Sequence, residues 1–126
     1  MGLRVEGIHH VSILVTDFDR SREFYGGILG LEEIAKPSTF NFEVVWFRFG
    51  EDQLHLIPSP TPDVPSPRHF ALHVEDAQAA REHLKKHGCV VEETTPIPGA
   101  DRFFTFDPDG NRIELIQWFE DYGTGR

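Results

Sequence analysis

His10-Val11-Ser12-Ile13-Leu14-Val15-Thr16-Asp17 returns 59 residues later as His69-Phe70-Ala71-Leu72-His73-Val74-Glu75-Asp76. Both octets open on His, run through apolar and β-branched residues, and close on an Asp suited to cap a helix. At the same offset Leu54-His55-Leu56-Ile57 falls on Ile113-Glu114-Leu115-Ile116, and Phe47 falls on Phe106. The echo covers nearly a half-chain, which is the mark of one unit present twice.

Each copy reads as βαβββ. A strand over residues 8–15 leads into a helix that carries Phe18, Phe24, Tyr25, Ile28 and Leu29 and stops at Gly30. A strand over 68–74 leads into a helix that carries Ala77, Ala80 and Leu84 and stops at Gly88. These are ordinary cap and stop signals. Gly26 and Gly27 weaken the first helix, each by about 1 kcal/mol relative to Ala. Strands follow over 31–36, 44–49 and 53–57, and again over 90–95, 103–106 and 112–118. Gly50-Glu51-Asp52 and Asp107-Pro108-Asp109-Gly110 place turn residues between the last two strands of each copy. The expected fold is therefore α+β, with module one at 4–57 and module two at 68–119. Residues 58–67 hold five prolines in ten positions, a stiff extended spacer at about 3.1 Å per residue.

Length and charge narrow the function. A chain of 126 residues supports one ordinary domain with a real core. Twelve basic residues against 21 acidic ones give a net charge of −9, which repels phosphate backbones and anionic lipid, so neither nucleic acid nor membrane is an expected partner. The single Cys89 can form no intrachain disulfide, and no stretch is apolar enough for a signal core or a bilayer span, so a cytoplasmic location is expected. Gly2 follows Met1, but Glu6 stands where a myristoylation signal wants Ser or Thr.

Alternation along a strand sorts the polar residues by face. His10, Ser12 and Leu14 share one face, and His9, Val11, Ile13 and Val15 the other, which packs under the helix and makes His9 structural. His69, Ala71 and His73 lie opposite Phe70, Leu72 and Val74. His55 and Glu114 lie opposite their flanking apolar neighbours. Each module thus carries two ligand-capable residues on its helix-free face, 45 apart in both: His10 with His55, and His69 with Glu114. Three imidazoles and one carboxylate suit one divalent transition metal, and Zn, Ni, Co, Fe(II) and Mn(II) all stay open. Substrate contacts are expected from Trp46, Arg48, Phe103, Phe104, Arg112 and Trp118, with His73 as a base behind the ligands. His83 and His87 read as solvated helix residues, and Cys89 as a small core residue.

With these residues in view the chain resembles the vicinal oxygen chelate superfamily, which groups glyoxalase I, extradiol dioxygenases, fosfomycin-modifying thiol transferases and bleomycin-binding proteins. The likeness rests on residues 8–17, Ser21 with Phe24-Tyr25, Leu29-Gly30-Leu31, Leu54-His55-Leu56, residues 69–74, and the run from Asp107 to Leu115. It implies two βαβββ modules whose curved mixed sheets surround a cavity, with His10, His55, His69 and Glu114 at the metal positions. It also implies a homodimer, and whether the two pairs meet within one chain or across two stays open.

Several activities fit that resemblance. The leading one is a metal-dependent isomerase or lyase acting on a small substrate with vicinal oxygens, with a metal-stabilised enediolate and Glu114 as the catalytic proton carrier. His55 departs from glyoxalase I, which typically has Glu there, so only Glu114 is left to carry protons. An Fe(II) extradiol-type dioxygenase resembles the His10, His69, Glu114 triad, although such enzymes usually carry two of these domains. An antibiotic-type binding or resistance protein is the non-catalytic alternative, and the intact quartet argues against it.

Overall fold

The computed structural model describes residues 2–120. The chain folds as two compact units, one running to Asp63 and the other from Val64. Unit 1 contains β1 (His10–Val15), α1 (Phe18–Arg22), β2 (Glu32–Ile34), β3 (Val45–Phe49) and β4 (Asp52–Pro58). Unit 2 contains β5 (Phe70–His73), α2 (Ala77–Lys86), β6 (Glu92–Glu93), β7 (Ala100–Phe106) and β8 (Arg112–Trp118). Each sheet is mixed. The orders are β1-β4-β3-β2 and β5-β8-β7-β6, with the first strand parallel to the fourth and the other pairs antiparallel. The expected α+β fold with tandem βαβββ modules is what forms.

The two expected helix caps are present. Asp17 accepts the Arg20 amide at 3.1 Å, and Asp76 accepts the Ala79 amide at 3.0 Å. The first helix differs from expectation past Arg22, where Glu23–Ile28 widens into a π-helical turn and Leu29 N–H reaches Phe24 O at 2.9 Å. The Gly26-Gly27 pair permits this, since neither favours a regular helix. A Cβ on Gly26 would lie 3.3 Å from the buried Phe47 ring, so the glycine also lets the turn pack closely on β3.

The strand expected over 90–95 shrinks to Glu92–Glu93. The Val90 carbonyl is taken by the Thr105 hydroxyl at 2.7 Å rather than by a strand amide. The second hairpin is built on Asp107, whose Oδ1 accepts the amides of Asp109 and Asn111 at 2.9 and 2.8 Å. Gly110 closes it at φ +86°, a conformation few other residues adopt.

The core of each unit lies between its helix and one sheet face. Val45, Phe47, Leu54 and Leu56 fill it in unit 1, with Tyr25 from the helical segment. Phe103, Thr105, Ile113 and Leu115 fill it in unit 2, with Leu84 from α2. The register corrects one detail of the repeat. Phe47 sits opposite Leu54 and Thr105 opposite Ile113; Leu54 and Ile113 are 59 apart, but Phe47 and Thr105 are 58 apart. Phe106 is therefore not the counterpart of Phe47. It pairs with Arg112 on the other face, because the longer Asp107–Asn111 turn shifts the third strand by one residue.

Candidate metal and substrate site

In unit 1 the helix-free face gathers aromatic rings. His55 in β4 pairs across the ladder with Trp46 in β3, and their rings stack at 3.8 Å and 3°. The His10 ring stacks on the other side of His55 at 4.0 Å and 17°. His55 Nε2 lies 2.8 Å from Gln53 Oε1, and His10 Nδ1 lies 2.9 Å from His9 Nδ1. Those bonds leave Nε2 of His10 and Nδ1 of His55 outside them. His9 was expected under the helix; it is exposed instead, its ring turned to His10 at the edge of β1 while its carbonyl accepts the Gln53 amide at 3.1 Å.

Burial and two neighbouring imidazoles, His10 and His9, lower the His55 pKa from 6.5 to about 4. The ring is thus neutral at pH 7, as a ligand must be. An imidazole whose folded pKa is depressed takes up its proton first in the unfolded chain. Its contribution is nil above 6.5, and stability falls as pH drops from 6.5 toward 4, by up to about 3 kcal/mol. In chelator-containing buffer, urea midpoints across that window are expected to fall with acid, and His55→Gln to flatten the slope. Equal slopes in the two proteins would contradict this burial effect.

In unit 2 the same face carries a charged cluster. His69 Nε2 lies 3.0 Å from Glu114 Oε1, while its Nδ1 lies 2.9 Å from the Pro67 carbonyl. A carbonyl only accepts, so Nδ1 carries a proton and Nε2 faces the carboxylate. In a neutral ring that nitrogen presents a lone pair to an anion, an arrangement relieved by a proton or a cation between them. Glu114 is buried, at 7% exposure, and Arg102 Nη1 approaches its Oε2 at 3.4 Å. The donor set fits a divalent transition metal: a backbone carbonyl fixes the His69 tautomer, as it does for many ligating imidazoles, and an anionic oxygen lies beside it.

The four expected ligands thus come together as two pairs, one per unit. Among the described residues no group of three or more His, Cys, Asp or Glu side chains forms a metal cluster.

The expected substrate contacts divide. Phe104 pairs with Glu114 and stacks edge-on to His69 at 4.9 Å, and the Arg112 guanidinium lies 3.7 Å over the Phe104 ring. Trp118 shares that parity at the strand end, where its amide meets His73 Nε2 at 3.5 Å. Phe103 does not belong with them: it pairs with Leu115, is fully buried, and packs on the core face under Arg81. Arg48 is exposed and bound to Glu32 Oε1 at 2.8 Å, turned to the neighbouring strand β2 rather than to His10 and His55. Arg102 is the residue that sequence reading missed, although its even spacing from Phe104 along β7 places it on the Glu114 face. Cys89 is half-buried rather than core, and burial raises its thiol pKa. The exposed His83 and His87 rings lie 4.5 Å apart at the end of α2.

Known proteins share this sequence pattern and fold. The family model "Glyoxalase/Bleomycin resistance protein/Dioxygenase superfamily" matches residues 7–115. Glyoxylase I 4 of Arabidopsis thaliana is 30% identical over 90% of this chain and 71% of its own length. Lactoylglutathione lyase of Neisseria meningitidis serogroup B is 27% identical over 86% of this chain and 88% of its own. Among solved structures, a Bacillus anthracis protein of the glyoxalase family superposes with a TM-score of 0.86 at 30% identity, over 94% of this chain and 99% of that one. No helix among the described residues is long and apolar enough to cross a membrane.

Proposed function

Because the chain belongs to the glyoxalase/bleomycin resistance protein/dioxygenase superfamily, we propose that it is a metal-dependent enzyme acting on a small substrate with vicinal oxygens by isomerase- or lyase-type proton transfer. The observation that carries this reading is the contact of His69 Nε2 with the buried Glu114 carboxylate at 3.0 Å. His10, His55, His69 and Glu114 would hold the cation, which supplies Lewis-acid stabilisation of negative charge on the substrate oxygens.

The chain's own residues supply the rest. Glu114 is the one carboxylate of the quartet, and it takes the proton from the carbon beside the carbonyl and returns it. Arg102, 3.4 Å from Oε2, holds that carboxylate in place. His55, kept neutral by burial, donates a lone pair without adding positive charge. Phe104 and Arg112 shield the Glu114 face from water.

The test is α-proton exchange in D2O, followed by NMR on a panel of α-hydroxyketones with protein loaded separately with Zn, Ni, Co and Mn. Exchange above the metal-only rate is expected. The Fe(II) dioxygenase reading predicts instead oxygen uptake with catechols and no exchange. Two chains pair in this reading, so a dimer mass is expected in light scattering at micromolar protein, and a monomer would contradict the pairing.

A further inference from the structure

Two further imidazoles lie together on the outside of unit 2. His83 and His87 are one turn apart on α2, both exposed, with ring centroids 4.5 Å apart and ring planes at 50°. Residues four apart on a helix share one face, so the spacing itself brings the rings together. The helix beneath them is held firmly. Leu84 is 2% exposed, and the buried Arg81 ties α2 to Glu93 and Asp101. Nδ1 of His87 lies 2.9 Å from the His83 carbonyl, which only accepts, so Nδ1 carries the proton and Nε2 presents the lone pair. A backbone carbonyl thus fixes the tautomer of a ligating imidazole here, as one does for His69.

We propose that His83 and His87 form a second transition-metal site, distinct from the quartet, which takes one divalent cation of the Zn, Ni or Cu(II) kind. Zinc–nitrogen bonds of about 2.0–2.1 Å put two nitrogens of a tetrahedral set about 3.3 Å apart, which these rings reach by side-chain rotation alone. Imidazole ligands favour such metals over Mg and Ca, which want oxygen. The last turn of a helix carries partial negative charge, and the net charge of −9 also draws cations. Lys85 and Lys86 in that turn oppose this, but their ammonium groups sit on flexible stems that swing aside. Among the described residues no third His, Cys, Asp or Glu joins the pair, so water completes the coordination. Leu84 follows His83 where the helix of a zinc hydrolase carries its Glu base, so the site binds metal without a base of its own. The inference is independent of the catalytic reading, because α2 packs on the core face of its sheet and Glu114 lies on the other. With only two protein ligands the site empties on desalting, and its equivalent of metal is present only while free metal is.

The test is a Zn titration of the full chain at neutral pH, followed by NMR through the ring signals of each histidine. The His83 and His87 rings are expected to shift together along one saturation curve. His83→Gln, at an exposed position that leaves the core intact, is expected to weaken the His87 response about tenfold or more, because the second ligand of a chelate acts at high effective concentration. Saturating Zn is also expected to slow hydrogen exchange at the His87, Gly88 and Cys89 amides, which bond to carbonyls of that turn, in wild type and not in His83→Gln. Glu114→Ala is expected to leave the dissociation constant on α2 unchanged. An unchanged His87 curve in His83→Gln would reduce the pair to two separate imidazoles and overturn the inference. Rings that ignore Zn in large excess over protein, or a response lost in Glu114→Ala, would overturn it as well. Metal retained by wild type without a response on α2 defeats this inference alone. A response on α2 without retained metal defeats the catalytic reading alone.

Discussion

Glu114→Gln in the metal-loaded protein is expected to lower α-proton exchange by a factor of about 10² to 10⁴, the usual worth of a positioned acid–base group. Gln nearly matches Glu in size, so Leu115 and Ile113 on either side keep their packing and the strand keeps its register. What disappears is the basic oxygen and its negative charge. Arg102 then faces a neutral amide at a site where it approached a carboxylate at 3.4 Å. Metal affinity falls as well, so the rate is to be compared at saturating metal and beside Glu114→Asp, which retains a carboxylate. Partial activity in Glu114→Asp with none in Glu114→Gln assigns the loss to proton transfer. Equal rates in wild type and Glu114→Gln would remove Glu114 from the chemistry.

Arg81→Ala is expected to destabilise the fold by about 2–3 kcal/mol, read as a lowered urea midpoint with an unchanged slope. Arg81 is buried on α2, and its guanidinium bridges two strands. Nε and Nη2 meet the Glu93 carboxylate at 2.9 and 3.0 Å, and Nη1 and Nη2 meet Asp101 at 2.9 and 2.7 Å. The same group lies 4.8 Å over the Phe103 ring. Removing it leaves two carboxylates facing each other without a cation and uncovers a core ring. The partly exposed Glu93 and Asp101 retain some water, which keeps the loss below that of a fully enclosed pair.

The same contact has a pH signature. Asp101 is held below its ordinary value of 3.8, chiefly by the hydrogen bond from Arg81. A depressed carboxylate contributes stability above its unfolded pKa and loses it as pH falls through the folded one. Wild type is therefore expected to lose stability below about pH 4, beneath the His55 window, and Arg81→Ala to lose that dependence. A variant that unfolds at the wild-type midpoint would show that α2 is held by apolar packing alone.

Much of the fold was legible because the repeat is written in residues that strands and caps require. The two His-to-Asp octets announce strand and helix start, and Asp17 and Asp76 cap as their positions suggest. Alternation also placed His10, His55 and Glu114 on the helix-free faces. It failed where a segment lies outside a strand or a turn changes the count. His9 sits just outside β1, where its carbonyl still accepts the Gln53 amide at 3.1 Å, yet its ring stays in solvent and turns to His10. Phe103 and Phe104 both read as cavity aromatics, yet adjacent strand residues face opposite ways, and the pairing with Leu115 puts Phe103 in the core. Arg102 stood on the Glu114 face by the same rule, and nothing in its local sequence separated it from any surface arginine. The π-helical turn at Glu23–Ile28 was foreshadowed only by two glycines, which weaken a helix without saying what replaces it.

The central claim is that the repeat-related quartet binds a metal. Metal content by inductively coupled plasma mass spectrometry, on protein purified without a metal-affinity tag and compared with Glu114→Ala, tests it most directly. The account predicts about one equivalent of a transition metal per chain in wild type, lost in the variant. No metal in wild type after reconstitution with Zn, Ni, Co, Mn and anaerobic Fe(II), or the same content in Glu114→Ala, would contradict it.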